Sequence, residues 1–329
     1  MSNRFNNKGL IIILSGLIVI LILTMVIKVP KERSTLKTRL FDLDTSKVSE
    51  IIITPKVETG KPFEFTKEKN KWTVRQDKII AQPMKNAVEN ILSEVLQLKP
   101  QSLVAVDNSK WKEYELTDSL ATKIRFLDKK GKTLGDLMIG KFTYKQAANP
   151  YGYGGGNNIE GTSFVRLSND KKIYSVEGFL AFSFGGTFND WRDKSFLRCK
   201  RDDISKITYT YPADSSFVLM KKDSLWYAGD QRVDSLKTTN YLSSISFTDG
   251  DEFADGFRPA SSPIYSMTIE GNNLLNLTVK CFREEGKDKY VFNSSLNPEI
   301  YFTSGKNGLF EKLFKPLNYF EKKEVAGKK

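Results

Sequence analysis

Residues 48–75 read VSEIIITPKVETGKPFEFTKEKNKWTVR, and residues 204–229 read ISKITYTYPADSSFVLMKKDSLWYAG. Apolar side chains occupy matching positions in the two stretches, and Trp72 corresponds to Trp226 at an offset of 154 residues. Self-similarity of this kind is the signature of a duplicated unit. The alternation of apolar and polar residues predicts short antiparallel strands with one buried face. The sequence therefore predicts a chain built of two related halves.

The similarity continues beyond each tryptophan into a predicted amphipathic helix. Pro83 can occupy the first helical position in the first copy, and Asp234 can cap the helix in the second. Apolar residues spaced three and four apart predict one buried face per helix. These faces are Met84, Val88, Ile91 and Val95 in the first copy, and Tyr241, Leu242 and Ile245 in the second.

Strands and a closing helix complete each copy. Residues 123–142 and 263–282 both predict hairpins around a glycine-containing turn. An aromatic helix then closes each copy, with Leu180, Phe184 and Phe188 corresponding to Leu309, Leu313 and Leu317. Each copy therefore reads β-β-β-α-β-β-β-β-α. The predicted fold class is α+β, with two tandem, duplicated antiparallel-sheet-plus-helix domains at residues 45–200 and 201–323.

An N-terminal apolar segment predicts a membrane anchor. Residues 9–27 carry no charge and lie between Lys8 and Lys28. Nineteen helical residues span about 28 Å, close to the thickness of a bilayer core. The run is longer than the apolar region of a cleaved signal peptide, and no small-residue cleavage site follows it. We expect an uncleaved signal anchor through residues 9–27, a tail at 1–8, a stalk at 28–44 and a C-terminal tail at 324–329.

The charges on the two sides of this anchor do not decide its orientation in the membrane. Five Lys or Arg residues follow the apolar segment and two precede it, which favours a cytoplasmic domain. A short basic tail before an apolar segment favours the opposite arrangement. The formal net charge is +12, of which the first 40 residues hold +6, so the rest of the chain has only a mild basic excess. Such a spread-out charge does not predict nucleic-acid binding.

Composition excludes several catalytic classes. The chain has no histidine, so Ser-His-Asp and Cys-His centres and histidine metal ligands are impossible. Two cysteines, Cys199 and Cys281, cannot build a closed structural zinc site alone. They predict either a bridge between the domains or two buried thiols. We expect that the protein is not an enzyme and that it has no catalytic residues, no cofactor and no metal.

An insertion at residues 143–161 distinguishes the first copy. It reads TYKQAANPYGYGGGNNIEG and contains Tyr144, Tyr151 and Tyr153. The glycine run at 152–156 lacks the Lys-Ser/Thr of a phosphate-binding loop and lies between predicted strands. Tyrosines supply the amphipathic area that protein interfaces use. The insertion is either a surface excursion of a hairpin or a partner-contact loop, for which these three tyrosines are our candidates.

Two charged stretches could form a metal site or a cluster of ion pairs. Asp249, Asp251, Glu252 and Asp255 are reminiscent of a calcium loop, but the third oxygen ligand and the glycine of that motif are replaced by Phe253 and Ala254. We expect a solvated turn there. Asp190, Arg192 and Asp193 surround Trp191, and local ion pairs at a helix end are the expected arrangement.

A succession of short motifs gives a family resemblance. The motifs are Asp44, Val48, Ile51 and Ile53 in D-x-x-x-V-x-x-I-x-I, W-x-V at 72–74, Y-x-L at 114–116, L-x-I-G-K at 137–141, F-V-R at 164–166, I-Y-x-V at 173–176 and W-R-D-K at 191–194. This order resembles a bacterial domain-of-unknown-function family of membrane-anchored proteins, often encoded beside gliding-motility-type ABC transporter genes. The sequence departs from the family's Y-G-L pattern, because Glu115 stands where the glycine would be.

The resemblance implies a role rather than a reaction. It implies a non-enzymatic extracytoplasmic accessory or scaffold subunit of an ABC-transporter-type or gliding-related envelope complex. Its partners would be the bilayer and other protein subunits of that complex, without nucleic acid. The implied location is the bacterial inner membrane, with a single pass and a periplasmic domain. An envelope polysaccharide-binding module is the alternative, since aromatic residues at 12% would allow sugar stacking.

Overall fold

A computed structural model describes residues 39–56, 61–146, 159–283 and 289–322, together with positions 14, 16 and 17. The predicted anchor at residues 9–27 lies outside the described residues apart from those three positions. Within the described part of the chain, no helix is both long enough and apolar enough to cross a membrane.

The first sheet has nine strands. Its spatial order is β4-β3-β2-β1-β6-β7-β8-β9-β5. The pairs β1–β2, β1–β6, β3–β4, β5–β9, β6–β7, β7–β8 and β8–β9 are antiparallel. The strands are β1 (Glu50–Thr54), β2 (Phe63–Glu68), β3 (Lys71–Gln76), β4 (Ile79–Ala81), β5 (Pro100–Ala105), β6 (Thr122–Leu127), β7 (Thr133–Gln146), β8 (Ile159–Leu167) and β9 (Ile173–Glu177).

A small two-stranded sheet pairs β10 (Ser195–Arg198) with β15 (Phe247–Asp249). The second large sheet again has nine strands, in the order β14-β13-β12-β11-β17-β18-β19-β20-β16. Its strands are β11 (Ile204–Thr210), β12 (Phe217–Lys222), β13 (Leu225–Ala228), β14 (Gln231–Arg232), β16 (Glu252–Phe253), β17 (Tyr265–Gly271), β18 (Leu277–Arg283), β19 (Lys289–Ser294) and β20 (Tyr301–Gly305).

The two large sheets have the same strand order when each is numbered from its own first strand. Trp72 lies on β3 and Trp226 on β13, which are corresponding strands. Each large sheet has nine strands where the sequence predicted seven for its copy. The additional strands are the short β4 and β14 before the helix, and β5 and β16 after it, and the strands β10 and β15 of the small sheet were not predicted either. The fold is mostly antiparallel sheet with few helices, in agreement with the predicted α+β class.

One helix in each copy supplies the predicted apolar face. Helix α1 (Ala87–Gln97) buries Val88, Ile91 and Val95. The expectation for its beginning was wrong: Pro83 lies in a β-bridge with Arg192, and Met84 is 44% exposed ahead of the helix. The bridge fixes this segment in an extended conformation, and the helix begins four residues later, at Ala87.

The corresponding helix of the second copy is the third along the chain, α3. It spans Ser235–Ile245 and buries Tyr241, Leu242 and Ile245 as predicted. The Asp234 carboxylate accepts the backbone N–H groups of Leu236 and Lys237 at 2.9 and 3.0 Å. This is the cap that the sequence indicated, and it satisfies two backbone donors that the helix itself leaves without partners.

The closing helices are shorter than predicted. In the first copy α2 (Leu180–Phe184) is one turn long, and Phe188 belongs to a separate 3₁₀ turn. In the second copy the segment is divided into α4 (Glu311–Leu313) and α5 (Leu317–Phe320). Several of the predicted apolar positions are nevertheless buried, including Leu180, Phe184, Leu309, Leu313 and Phe320.

The described chain forms two compact units. The first contains the residues up to Trp72 together with Asn86–Thr187, and the second contains Thr73–Lys85 together with the residues from Phe188 onward. Cys199 and Cys281 both lie in the core of the second unit and are not bridged. Of the two expectations for these cysteines, buried thiols is therefore the correct one.

Candidate functional site

The insertion at residues 143–161 is partly a continuation of the β7–β8 hairpin. Residues 143–146 pair with 159–162, with Tyr144 opposite Gly161 and Gln146 opposite Ile159. The Tyr144 side chain is 70% exposed. Tyr151 and Tyr153 lie outside the described residues. The hairpin therefore presents one of the three candidate tyrosines on a regular strand rather than on a loop.

Three phenylalanines lie close to this part of the hairpin. Phe142 and Tyr144 are two residues apart on β7, so their side chains point to the same face. Phe142 contacts Phe179 and Phe182 at ring-centroid distances of 5.6 and 5.0 Å. The Phe179 ring also covers Gly161, where a Cβ would approach it to 2.6 Å. We call Phe142, Tyr144, Phe179 and Phe182 the aromatic surface.

The aromatic surface is open to solvent at one side. Phe182 is 71% exposed and Ile159 is 53% exposed. A groove of about 620 Å³ begins at Phe142 and Phe182 and reaches the Lys56–Glu115 salt bridge, whose N–O distance is 2.7 Å. Large exposed apolar side chains beside a groove with a charged rim are typical of a surface that contacts another molecule.

Glu115 lines this groove and belongs to a segment that we call the cover segment, residues 106–121. The Lys141 backbone N–H donates to the Tyr114 carbonyl at 3.1 Å, and the Tyr114 ring packs on Phe164 at 4.5 Å. At Gly140 an added Cβ would lie 2.0 Å from the same carbonyl oxygen. Glycine is therefore required where the cover segment crosses β7.

Arg166 fixes the cover segment from below. Its side chain is buried, its Nε donates to the Leu116 carbonyl at 2.9 Å, and its guanidinium lies 3.8 Å from the Trp111 ring. Burial lowers the pKa of Arg166, and Asp118 and Asp136 oppose that shift. The Y-x-L, I-G-K and F-V-R motifs thus meet in one structural cluster, in which they pack on one another.

Glu115 adopts a backbone conformation that suits glycine. Its φ is 57°, in the left-handed region. Glu115 is a departure from the Y-G-L pattern, and the observed backbone is one that glycine adopts without strain. Non-glycine residues pay about 1 kcal/mol or more for this conformation. The Lys56–Glu115 salt bridge gives the substituted side chain a partner.

The acidic side chains at 249–255 are exposed, as expected for a solvated segment, but the stretch contributes to strands β15 and β16 and its carboxylates have partners. Asp249 pairs with Arg198, Asp251 accepts from the Ser304 hydroxyl, and Asp255 forms a two-pronged ion pair with Arg192 at 2.5 and 2.8 Å. Each carboxylate therefore has its own partner on a different element. Among the described residues, no group of three or more acidic or cysteine side chains could hold a metal ion.

Arg192 also departs from the expectation of local ion pairs. It is 4% exposed, its guanidinium lies 3.6 Å from the Phe253 ring, and Asp255 is 63 residues away in sequence. Asp190 makes the local pair instead, with Lys194 at 3.5 Å. A cavity of about 390 Å³ lies beside the Arg192–Asp255 pair. Since both terminal nitrogens of Arg192 already donate to Asp255, the pair serves mainly to join elements of the second unit.

The two thiols are poorly placed for chemistry. Burial raises the pKa of both Cys199 and Cys281, and the charge of Asp203 adds to the effect at Cys199. A thiol reacts as its thiolate, so both groups should be inert in the folded protein.

Comparison with known proteins identifies the family. The chain matches the family model described as a domain of unknown function (DUF4340) over residues 81–262, more than half of its length. The protein therefore belongs to this family, which confirms the expectation of a family without an assigned function. No curated protein and no solved structure matches the chain.

Of the residues in the aromatic surface, the sequence singles out Tyr144 alone as a contact candidate. Phe142, Phe179 and Phe182 join it only in the structure. The spacing of Phe142 and Tyr144 on one strand, with Phe179 and Phe182 three residues apart, was the available signal. It could not be used because the approach of residues 179–182 to β7 depends on tertiary packing.

Proposed function

We propose that the protein is a non-enzymatic, membrane-anchored accessory or scaffold subunit of an ABC-transporter-type or gliding-related envelope complex. Residues 9–27 anchor it in the bacterial inner membrane, and the two sheets lie in the periplasm. The aromatic surface is the contact site for another subunit, with Tyr151 and Tyr153 adding to it. The observation that carries the proposal is the exposure of Phe182 and Tyr144, at 71% and 70%, beside a groove of 620 Å³.

Two further features support a binding role. Tyr144 of the aromatic surface lies on the insertion that distinguishes the first copy, so the duplicated fold does not need this side chain. Arg166 and Arg192, the most buried charged groups among the described residues, are committed to structural contacts. Tyrosine and phenylalanine side chains that become buried between proteins often dominate the binding energy.

Co-purification of the full-length protein after mild detergent extraction tests this proposal. The variant Tyr144→Ser/Phe182→Ser should recover at least about ten-fold less partner protein than the wild type, since two contact residues of this size contribute 1 kcal/mol or more each. Phe247→Ser is the matched control, because Phe247 is 67% exposed in the second unit. Equal recovery of partner with all three proteins would contradict the assigned surface.

The polysaccharide-binding alternative predicts a different outcome of the same experiment. Exposed aromatic rings also stack on sugars, so the aromatic surface could retain glycan. In that case the wild type would purify as a monodisperse protein with bound carbohydrate, and the double variant would lose the carbohydrate. A stoichiometric protein partner that depends on Tyr144 and Phe182 would favour the scaffold.

A further inference from the structure

Three turns gather at one end of the first sheet. In register, Glu50 at the start of β1 lies opposite Thr66 of β2 and Leu127 of β6. The β2–β3 turn and the β6–β7 turn therefore leave the sheet at the end where β1 begins. Leu167 pairs with Leu137 near the start of β7, which brings the β8–β9 turn to the same end.

The described chain joins the sheet at this end as well. The Phe41 ring packs on Gly135 and contacts Phe126 at 6.1 Å. Residues 40–42 lie beside 133–136 and 167–169. We call this side of the first sheet the tether end, because the chain that precedes residue 40 leads to the predicted anchor.

The three turns at the tether end are strongly basic. We call residues 67–71, 128–132 and 170–172 the lysine turns. They contain eight lysines and three acids, a net charge of +5, whereas residues 41–329 as a whole carry +6. The lysines are Lys67, Lys69, Lys71, Lys129, Lys130, Lys132, Lys171 and Lys172, and all are exposed.

These lysines make few side-chain contacts with the unit, of which the cation–π contact of Lys67 with the Trp72 ring, at 5.8 Å, is one. Within the described ranges, none of their ammonium groups lies in a salt bridge. Two of the three acids close their own turns: Asp128 accepts the backbone N–H groups of Lys130 and Lys132, and Asp170 accepts that of Lys172. Nearby acids have other partners, since Asp44 pairs with Lys47 and Glu113 with Lys110.

We propose that the lysine turns rest on the anionic headgroups of the membrane that holds the anchor, so that the tether end of the first sheet faces the bilayer. This inference rests on the proposed membrane anchor. Ten residues lie between Lys28 and Arg39, so the eleven Cα–Cα steps keep the sheet within at most about 40 Å of the membrane surface. Lysines held close to anionic lipid gain a favourable interaction that decays within a Debye length.

The same arrangement places the aromatic surface away from the bilayer. Tyr144 lies nine residues beyond Gly135 on β7, about 30 Å along the strand. With the lysine turns on the membrane, the aromatic surface faces the aqueous side, where it can meet another extracytoplasmic protein. One contact thus orients the other.

Lysine acetylation of the full chain in vesicles tests the inference. The protein is reconstituted in phosphatidylcholine vesicles with and without phosphatidylglycerol, and the acetylation of each lysine is followed by mass spectrometry. In anionic vesicles the lysine turns should react at least about three-fold more slowly than in neutral vesicles, and high salt should abolish the difference. Lys221 and Lys222, at the corresponding turn of the second sheet, should react equally in both.

A variant and the flotation of the vesicles separate the possible failures. Changing Lys129, Lys130 and Lys132 to Gln should reduce the protection of Lys171 and Lys172, while circular dichroism stays unchanged. A chain that does not float with either kind of vesicle would overturn the anchor and this inference together. Flotation with equal acetylation in both vesicles would overturn the inference alone. Protection by a soluble polyanion but not by anionic vesicles would likewise contradict the assignment to lipid.

Discussion

The two large sheets share a strand order but differ in charge at one end. The lysine turns of the first sheet carry a net charge of +5, whereas the turns at the same places in the second sheet, residues 221–225, 270–276 and 297–299, hold two lysines and three acids. An exposed turn tolerates either composition, so the fold does not require the lysines. The proposed membrane contact accounts for this difference, because only the first sheet has the chain that leads to the proposed anchor at its basic end.

The cores of the two units also differ. At the position of Ile53 in the first sheet, the second sheet has Tyr209, whose hydroxyl donates to Tyr241 at 2.8 Å. The Tyr241 hydroxyl donates in turn to the Leu313 carbonyl at 2.6 Å. Burial raises the pKa of both tyrosines. The second unit therefore holds a titratable network where the first holds an aliphatic side chain.

This network predicts the largest effect, a selective loss of the second unit at alkaline pH. Below about pH 10 the tyrosines are neutral in both states, so their contribution to stability is complete. Above that value the unfolded chain releases protons that the folded unit retains. The two groups then cost about 2.7 kcal/mol per pH unit until their folded pKa values are reached. Tyr174 of the first unit, whose pKa burial also raises, gives a smaller loss there.

Absorbance at 295 nm and iodoacetamide labelling together check this prediction. Tyr209 and Tyr241 should ionise only as the unit unfolds. Cys199 and Cys281 report on the second unit alone, because both lie in its core. Their alkylation should rise sharply in the same pH range as the tyrosine absorbance. Thiols that react fully at neutral pH would contradict the burial of this core.

The next effect concerns the cover segment, which has a shorter counterpart in the second copy. Gly140→Ala should destabilise the first unit by about 3 kcal/mol, because the new Cβ would collide with a backbone carbonyl that cannot move aside. Lys280 stands at the corresponding position on β18 and is exposed. Lys280→Ala should change the free energy of unfolding by less than about 0.5 kcal/mol. Urea denaturation of the 40–329 fragment measures both, and equal effects would break the distinction between the copies.

These features show where sequence reasoning succeeds and where it stops. The helix faces at Val88, Ile91 and Val95 and the Asp234 cap follow from local spacing and side-chain chemistry, and the structure confirms them. The strands β4, β14 and β16 escaped prediction because they are too brief for an alternating pattern to register, and β5 escaped because its burial does not alternate. Pro83 fits the pattern of a helix start, but in the structure it forms a β-bridge with Arg192, which is more than a hundred residues away in sequence.

The candidate site was predictable to a similar extent. Tyr144 could be chosen from composition, since the insertion is rich in glycine and tyrosine. The lysine turns could not be recognised, because their lysines are spread over more than a hundred residues and meet only through strand register. The roles of Gly140 and Arg166 also depend on the cover segment, whose path over β7 has no local signature.

A smaller effect is expected at Glu115, within the cover segment. Glu115→Gly removes the steric cost of the left-handed backbone, whereas Glu115→Ala keeps that cost and also removes the salt bridge to Lys56. The glycine variant should therefore be more stable than the alanine variant by about 1 kcal/mol. Thermal unfolding of the two variants provides the comparison. An alanine variant as stable as the glycine variant would mean that residue 115 is not held at positive φ.

The smallest effect on stability should come from making the two copies alike at the β7–β8 connection. Twelve residues, 147–158, join β7 to β8, whereas five, 284–288, join β18 to β19. Replacing residues 147–158 with the sequence EEGKD of 284–288 shortens the connection by little more than a factor of two. Loop-closure entropy then favours the chimera by less than about 1 kcal/mol, and thermal unfolding of the 40–329 fragment measures the difference.

The same replacement removes Tyr151 and Tyr153 while leaving Tyr144 and Phe182 in place. Partner recovery from membranes should therefore fall, but by less than in the Tyr144→Ser/Phe182→Ser variant. The double variant Tyr151→Ser/Tyr153→Ser should reproduce part of the loss if the tyrosines themselves make the contact. A chimera that keeps full stability and full partner recovery would confine the contact to the aromatic surface and leave the insertion without a role in binding.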